Sequence, residues 1–242
     1  MSTRSVLAVV ALASVFGSAV PAEEWSPADL QGLLAPPRPV APKAGARRTP
    51  AVVRLVWTDP SGAAAGLEAP ARAEAEGLLR AMGVPVAWRQ GDTGEMSRRG
   101  EVRVILLDRP ATGQHGAPVL GATPPAFAVA PYVWVHLPGL ESTLGLVHGQ
   151  PVRRGRWAAR ALGVAVGRVI AHEVVHALAP SVPHGTGLMS SALTRRQLTA
   201  PSIPFDPEVA LVLQAVVRGD VAPTRPEAGV LAASTAGEEP PR

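Results

Sequence analysis

His172, Glu173 and His176 stand in the run "RVIAHEVVHALAPSVPHGTGLMS", residues 168–190. On a helix, a spacing of four puts the two histidines on one face with Cβ atoms about 5–6 Å apart. Each imidazole can then bring a ring nitrogen to about 2.0–2.1 Å from a single zinc ion. Glu173 is one step round the helix. It cannot easily bind the same metal, but it can reach a water held by it. That is the geometry of a general base in hydrolysis, with the metal lowering the pKa of the water to about 7 and polarising a carbonyl.

The surrounding residues sharpen this reading. "RALGVAVGRVIAHEVVHALA" is an apolar helix, where buried ionisable groups are costly unless a metal or a partner satisfies them. The 242 residues include no cysteine, so thiolate ligands, disulfides and a cysteine nucleophile are excluded. Any metal must be held by His, Asp or Glu. Catalytic zinc takes three protein ligands and keeps a fourth position open. His184, eight residues after His176, is read as the third ligand. The five residues from Ala179 to His184 reach up to about 16 Å when extended, enough to return to the metal. Asp206 and Glu208 are the alternatives, although a carboxylate in a first helical turn also satisfies the helix dipole. Arg168, one turn before His172, either lines the cleft or pairs with a carboxylate. His115, His136 and His148 read as structural or exposed.

Positioning these groups requires a domain, and its elements are legible over residues 51–218. Strands are expected at 51–58, 84–90, 101–108, 117–123 and 126–137, the last broken or bulged by Pro131. "APVLGAT", bounded by Gly and Pro, suits an edge. Helices are expected at 67–82, 153–178, 191–199 and 206–218. The order predicts an α/β (α+β) fold, a twisted mixed sheet of about five strands with its helices on one face and HExxH on the second helix.

"VGRVIAHEVVHALAPSVPHGTGLMS" resembles the zinc helix and following turn of the metzincin clan of zinc peptidases, nearest to matrixin-like bacterial secreted members. The resemblance covers about residues 51–200, with its specific part in the zinc helix. It implies a zincin-like fold, His172 and His176 as helical zinc ligands, and Glu173 as general base. It places Met189 in the methionine turn below the zinc. It also makes Leu120, Gly121 and Ala122 the edge strand that pairs with an extended peptide substrate. The chain departs from the clan pattern H-E-x-x-H-x-x-G-x-x-H in three places. Ala179, followed by Pro180, takes the glycine position. His184 comes eight residues after His176 rather than six, and Met189 follows five residues later, with Gly185 and Gly187 permitting a tight turn. A pro-segment cysteine that blocks the zinc, as in many matrixins, is impossible here.

The ends read differently from the middle. Residues 1–22, with Arg4, an apolar run and "VPA", read as a cleaved export signal, so the mature chain is expected to be secreted or periplasmic, without stable membrane insertion. Residues 23–50, rich in Pro and Arg, read as a linker or short pro-segment, and 219–242 as a disordered tail. The net charge of +4 is spread over scattered Arg pairs without aromatic interleaving, so no nucleic-acid partner is expected. Two functions remain: a secreted zinc metalloendopeptidase acting on peptides or proteins, and a non-catalytic exported protein that keeps zinc as a staple.

Overall fold

The computed structural model of the protein describes residues 52–221 except positions 93, 96–97, 99, 114–115, 125–130 and 149–154, together with the backbone of 232–236. The export signal, the linker 23–50, His115 and most of the tail lie outside the described residues.

The elements run β1 (Val53–Thr58), α1 (Glu68–Ala81), β2 (Val86–Gln90), β3 (Glu101–Leu107), β4 (Val119–Thr123), β5 (Tyr132–His136), α2 (Leu137–Leu144), α3 (Arg156–Leu178), β6 (Ala192–Leu193), α4 (Arg195–Thr199), α5 (Pro207–Arg218) and β7 (Ala232–Ala236). Five strands make a mixed sheet in the order β2-β1-β3-β5-β4. The first four are mutually parallel, and β4 runs antiparallel to β5 with Gly121 opposite Val135 and Ala122 opposite Trp134. β7 and the two-residue β6 extend the sheet beyond β4.

β6 takes the first part of the helix expected over 191–199, which begins only at Arg195, β4 is paired on both sides rather than standing at an edge, and two elements are additional. "LPGLESTL" forms α2, because Pro138 sits in the first helical turn, where a missing N–H costs nothing. Residues 232–236, inside the tail expected to be disordered, pair as β7.

One face of the parallel strands carries Leu55, Trp57, Val102, Val104, Leu106, Val133 and Val135, and these join one buried cluster with α1 and α3. The opposite face is polar, with Arg103 donating to Thr58 and Asp92 and Arg89 gripping Glu101. α3 is long and apolar enough to cross a membrane by composition, yet 78% of that window is buried inside the fold. Every residue from Ala165 to His176 is buried, the signature of a helix enclosed on all sides.

That enclosure needs a close crossing of α1 over α3. α1 presents its buried Ala71, Ala75 and Leu79. α3 answers with Gly163 and Gly167, one turn apart. A Cβ on Gly167 would lie 2.5 Å from the Ala71 carbonyl oxygen and 2.7 Å from the Glu74 Cβ, and one on Gly163 2.5 Å from the Pro70 ring. In helix propensity alone, Gly167→Ala would gain about 1 kcal/mol. Overpacking against backbone is expected to outweigh this at about 1–3 kcal/mol. The variant should therefore melt several degrees below the parent by calorimetry, and an unchanged or raised Tm would contradict the crossing.

Candidate metal centre

Three imidazoles converge at the end of α3. His172, His176 and His184 offer ligand nitrogens that all lie within 4.8 Å of one another. Ring centroids are 4.8 Å apart for His172–His176 and His176–His184, and 5.4 Å for His172–His184, whose rings stack. Among the described residues this is the one such His/Cys/Asp/Glu group. Asp206 and Glu208 stand outside it: Asp206 caps α5 by accepting from the Glu208 amide at 2.8 Å, and Glu208 occupies the first turn.

The two helical histidines are buried, His172 fully, while His184 is exposed at the rim. His172 Nδ1 lies 2.7 Å from the Leu188 carbonyl, which can only accept, so Nδ1 carries the proton and Nε2 keeps its lone pair. The buried Nε2 atoms of His172 and His176 have no hydrogen-bond partner among the described residues. Buried nitrogens aimed together without partners are what a metal ion would satisfy, so the residues present fit a cation with open coordination.

The third histidine arrives on a loop that is fastened at several points. α3 stops at Leu178, with Ala179 at φ −132° ahead of Pro180. Val182 N–H closes a turn onto the Ala179 carbonyl at 3.0 Å, and Gly185 N–H donates to Met189 at 2.8 Å. A single 3-10 turn, Gly187–Met189, brings the Leu188 carbonyl under His172. Met189 is buried in the core cluster. Of the two glycines expected to allow this turn, Gly187 has the positive φ, +60°, and any Cβ there would strike the Pro204 carbonyl.

Glu173 is fully buried one step from His172. Thr123 places its hydroxyl 2.8 Å from Glu173 Oε2 and 2.9 Å from the Glu173 carbonyl oxygen, and its single proton serves one of them at a time. Thr123 escapes a reading of the sequence, since nothing local marks a strand threonine as the partner of a helix residue far along the chain. Gly121 is needed for the same contact: a Cβ there would lie 2.5 Å from Val169 Cγ1 and 2.9 Å from Glu173 Oε1. Of the expected edge residues, Leu120 and Ala122 are buried, and the outer side of β4 is paired with β7. A cavity of ≈ 330 Å³ adjoins His184, walled by Val182, Pro183, Met189, Val209 and Val212.

The remaining candidates fall away from the centre. Arg168 pairs with a carboxylate: buried, it donates to Glu74 at 2.8 Å and to the Gln197 and Ala200 carbonyls. His136 donates its Nδ1–H to the Arg109 carbonyl oxygen, 3.1 Å away. His148, itself exposed, contacts the buried carboxylate of Glu141 and the exposed Asp108.

Burial pushes His172 down to about 4, with nearby His184 adding to the effect and the Leu188 bond opposing it. Burial, then His172 and His184, push His176 down to about 3, and burial lowers His184. The imidazoles are therefore neutral, as ligands must be. The sign for the metal-free chain follows. Below the ordinary value near 6.5 the unfolded histidines take protons that the folded ones refuse. Stability present above about pH 6.5 should fall by about 1.4 kcal/mol per pH unit for each buried histidine as pH drops towards 5. Urea denaturation in chelator at pH 7, 6 and 5 measures this, and a constant midpoint would contradict the burial. No family model, curated protein or solved structure matches this chain.

Proposed function

We propose that this chain is an exported, metzincin-like zinc peptidase that hydrolyses peptide bonds in extended substrates. One observation carries the reading: three imidazoles whose ligand nitrogens lie within 4.8 Å of one another, beside a buried carboxylate gripped by Thr123. Zinc suits an all-imidazole set, as do several other divalent ions, and the tetrahedral preference of zinc leaves a fourth position open. When bound, zinc supplies Lewis acidity that polarises a carbonyl and acidifies water.

The chain's own residues do the rest. His172, held by Leu188, presents Nε2 in one fixed orientation. Glu173 takes the proton of the attacking water on its carboxylate and passes it to the departing amine. Thr123 fixes the plane of that carboxylate from Oε2. β4 is paired on both sides, so an extended peptide could use its main-chain groups only in place of β7. The cavity beside His184, lined by valine, proline and methionine together with Asp206 and Glu208, accepts a substrate side chain. Met189 supports the centre through its turn, whose Leu188 carbonyl orients His172. A zinc staple without catalysis would leave Glu173, and the hold of Thr123 upon it, without a task.

Two variants test this against zinc content and cleavage of a quenched fluorescent peptide. Glu173→Gln should keep its zinc and lose about 10²–10⁴-fold in cleavage rate. Cleavage at the parent rate would sink the mechanism. His184→Ala should lose zinc by more than the about 10–100-fold that removing a ligand's supporting hydrogen bond costs. Parent-like affinity would remove His184 from the site.

A further inference from the structure

The slot on the outer side of β4 is one strand wide and has two walls. β4 forms the first. Ala192–Leu193, three residues beyond Met189, forms the second. β7 lies between them. It runs antiparallel to β4, with Val119 opposite Thr235, Gly121 opposite Ser234, Ala122 opposite Ala233 and Thr123 opposite Ala232. It runs parallel to β6, with Ala192 opposite Thr235 and Leu193 opposite Ala236.

Both walls are connected to residues around the three histidines. Gly121 and Thr123 are the β4 residues packed next to Glu173, and Ser234 and Ala232 are their partners in β7. The second wall follows immediately on the turn whose Leu188 carbonyl orients His172. A strand in this slot is therefore placed where main-chain pairing would present a peptide to the centre.

We propose that residues 232–236 are a built-in, displaceable occupant of a peptide-binding slot, and that extended peptides of small uncharged residues compete with them for it. Three features make the occupant replaceable. Its sequence, A-A-S-T-A, has little intrinsic preference for a strand. The second wall pairs over two residues. The ladder to β4 is interrupted by a register shift between Val119 and Gly121, which leaves the intervening residue unpaired and weakens the seam. What keeps the strand seated is its tether, because an intramolecular segment competes at an effective concentration of the order of millimolar. For its consequence, suppression of cleavage while the strand is seated, the proposal rests on the peptidase reading; the competition itself does not.

The test uses the full chain carrying both Ala233→Pro and Ser234→Pro. Adjacent strand residues direct their N–H groups to opposite neighbours, so the pair removes a donor towards each wall. The probe is a fluorescein-labelled peptide with the sequence of residues 230–237, VLAASTAG. Its binding is read by polarisation in a Glu173→Gln background, so that it stays whole. The proline pair should bind the probe at least about tenfold more tightly than the chain with its tail intact. Equal affinity overturns the proposal. If the proline pair melts below the parent, the parent itself gives the answer. Excess free VLAASTAG should speed hydrogen exchange at the amides of 232–236, and unchanged exchange there overturns the proposal equally. The two readings fail separately. Tighter probe binding with no cleavage by any chain containing Glu173 supports the slot and sinks the peptidase. Cleavage equal with and without the proline pair, at equal probe affinity, does the reverse.

Discussion

A glutamate and two histidines buried on a helix enclosed by hydrocarbon are the constraint around which the centre is arranged. Desolvating such groups without partners costs several kcal/mol each. Each is answered differently. Glu173 receives the Thr123 hydroxyl from a neighbouring strand. His172 gives its Nδ1 proton to Leu188. The Nε2 atoms of His172 and His176 are left without partners among the described residues, and a shared cation would satisfy both at once. Burial lowers all three imidazoles, most strongly His172 and His176, and favours the neutral form that a ligand needs over mutually repelling cations.

The same helix positions the segment that carries His184. Arg168, one turn before His172, reaches Glu74 on α1 and the carbonyls of Gln197 and Ala200 at α4. A buried ion pair adds little net stability when weighed against apolar replacements. Its use here is positional. It joins α1, α3 and α4, and the chain between α3 and α4 is the loop, turn and β6 that hold His184, Leu188 and the second wall of the slot. The crossing at Gly163 and Gly167 acts together with it, because only a close approach of α1 brings Glu74 within reach of a side chain this deeply buried.

The legible parts of the site are those set by short-range geometry. HExxH could be read because helical spacing fixes two imidazoles on one face. His184 could be read because a short loop has bounded reach. The sheet of five strands was legible from apolar runs and turn residues. Thr123 and the need for Gly121 were hidden, since they depend on how closely a strand and a helix pack across about fifty positions of sequence. Arg168 stood between two roles for the same reason: its partner Glu74 lies 94 residues away. α2 was obscured by Pro138 and Gly139, which signal a turn locally yet fit a helix start. β7 was obscured by its composition, because a strand built on main-chain pairing needs no apolar alternation.

The late third histidine shows how a departure in spacing can leave an end point unchanged. Pro180 forces the preceding Ala179 out of helical geometry, so α3 must stop without the left-handed residue that a glycine would supply. The chain turns by the Val182–Ala179 bond instead, and buried Val182 anchors that turn to the core. On the other side of His184, Gly185 is tied to Met189. The left-handed conformation has moved downstream to Gly187, where the nearby Pro204 carbonyl excludes any side chain. The two additional residues are thus consumed in turning the chain, and His184 is held from both sides against the ring of His172. A loop fixed at each end tolerates a longer path because closure entropy grows only slowly with length, by about 0.6 kcal/mol per doubling. The closure cost of this loop is small, and the placing of His184 depends on the two fastenings rather than on the number of residues between His176 and His184.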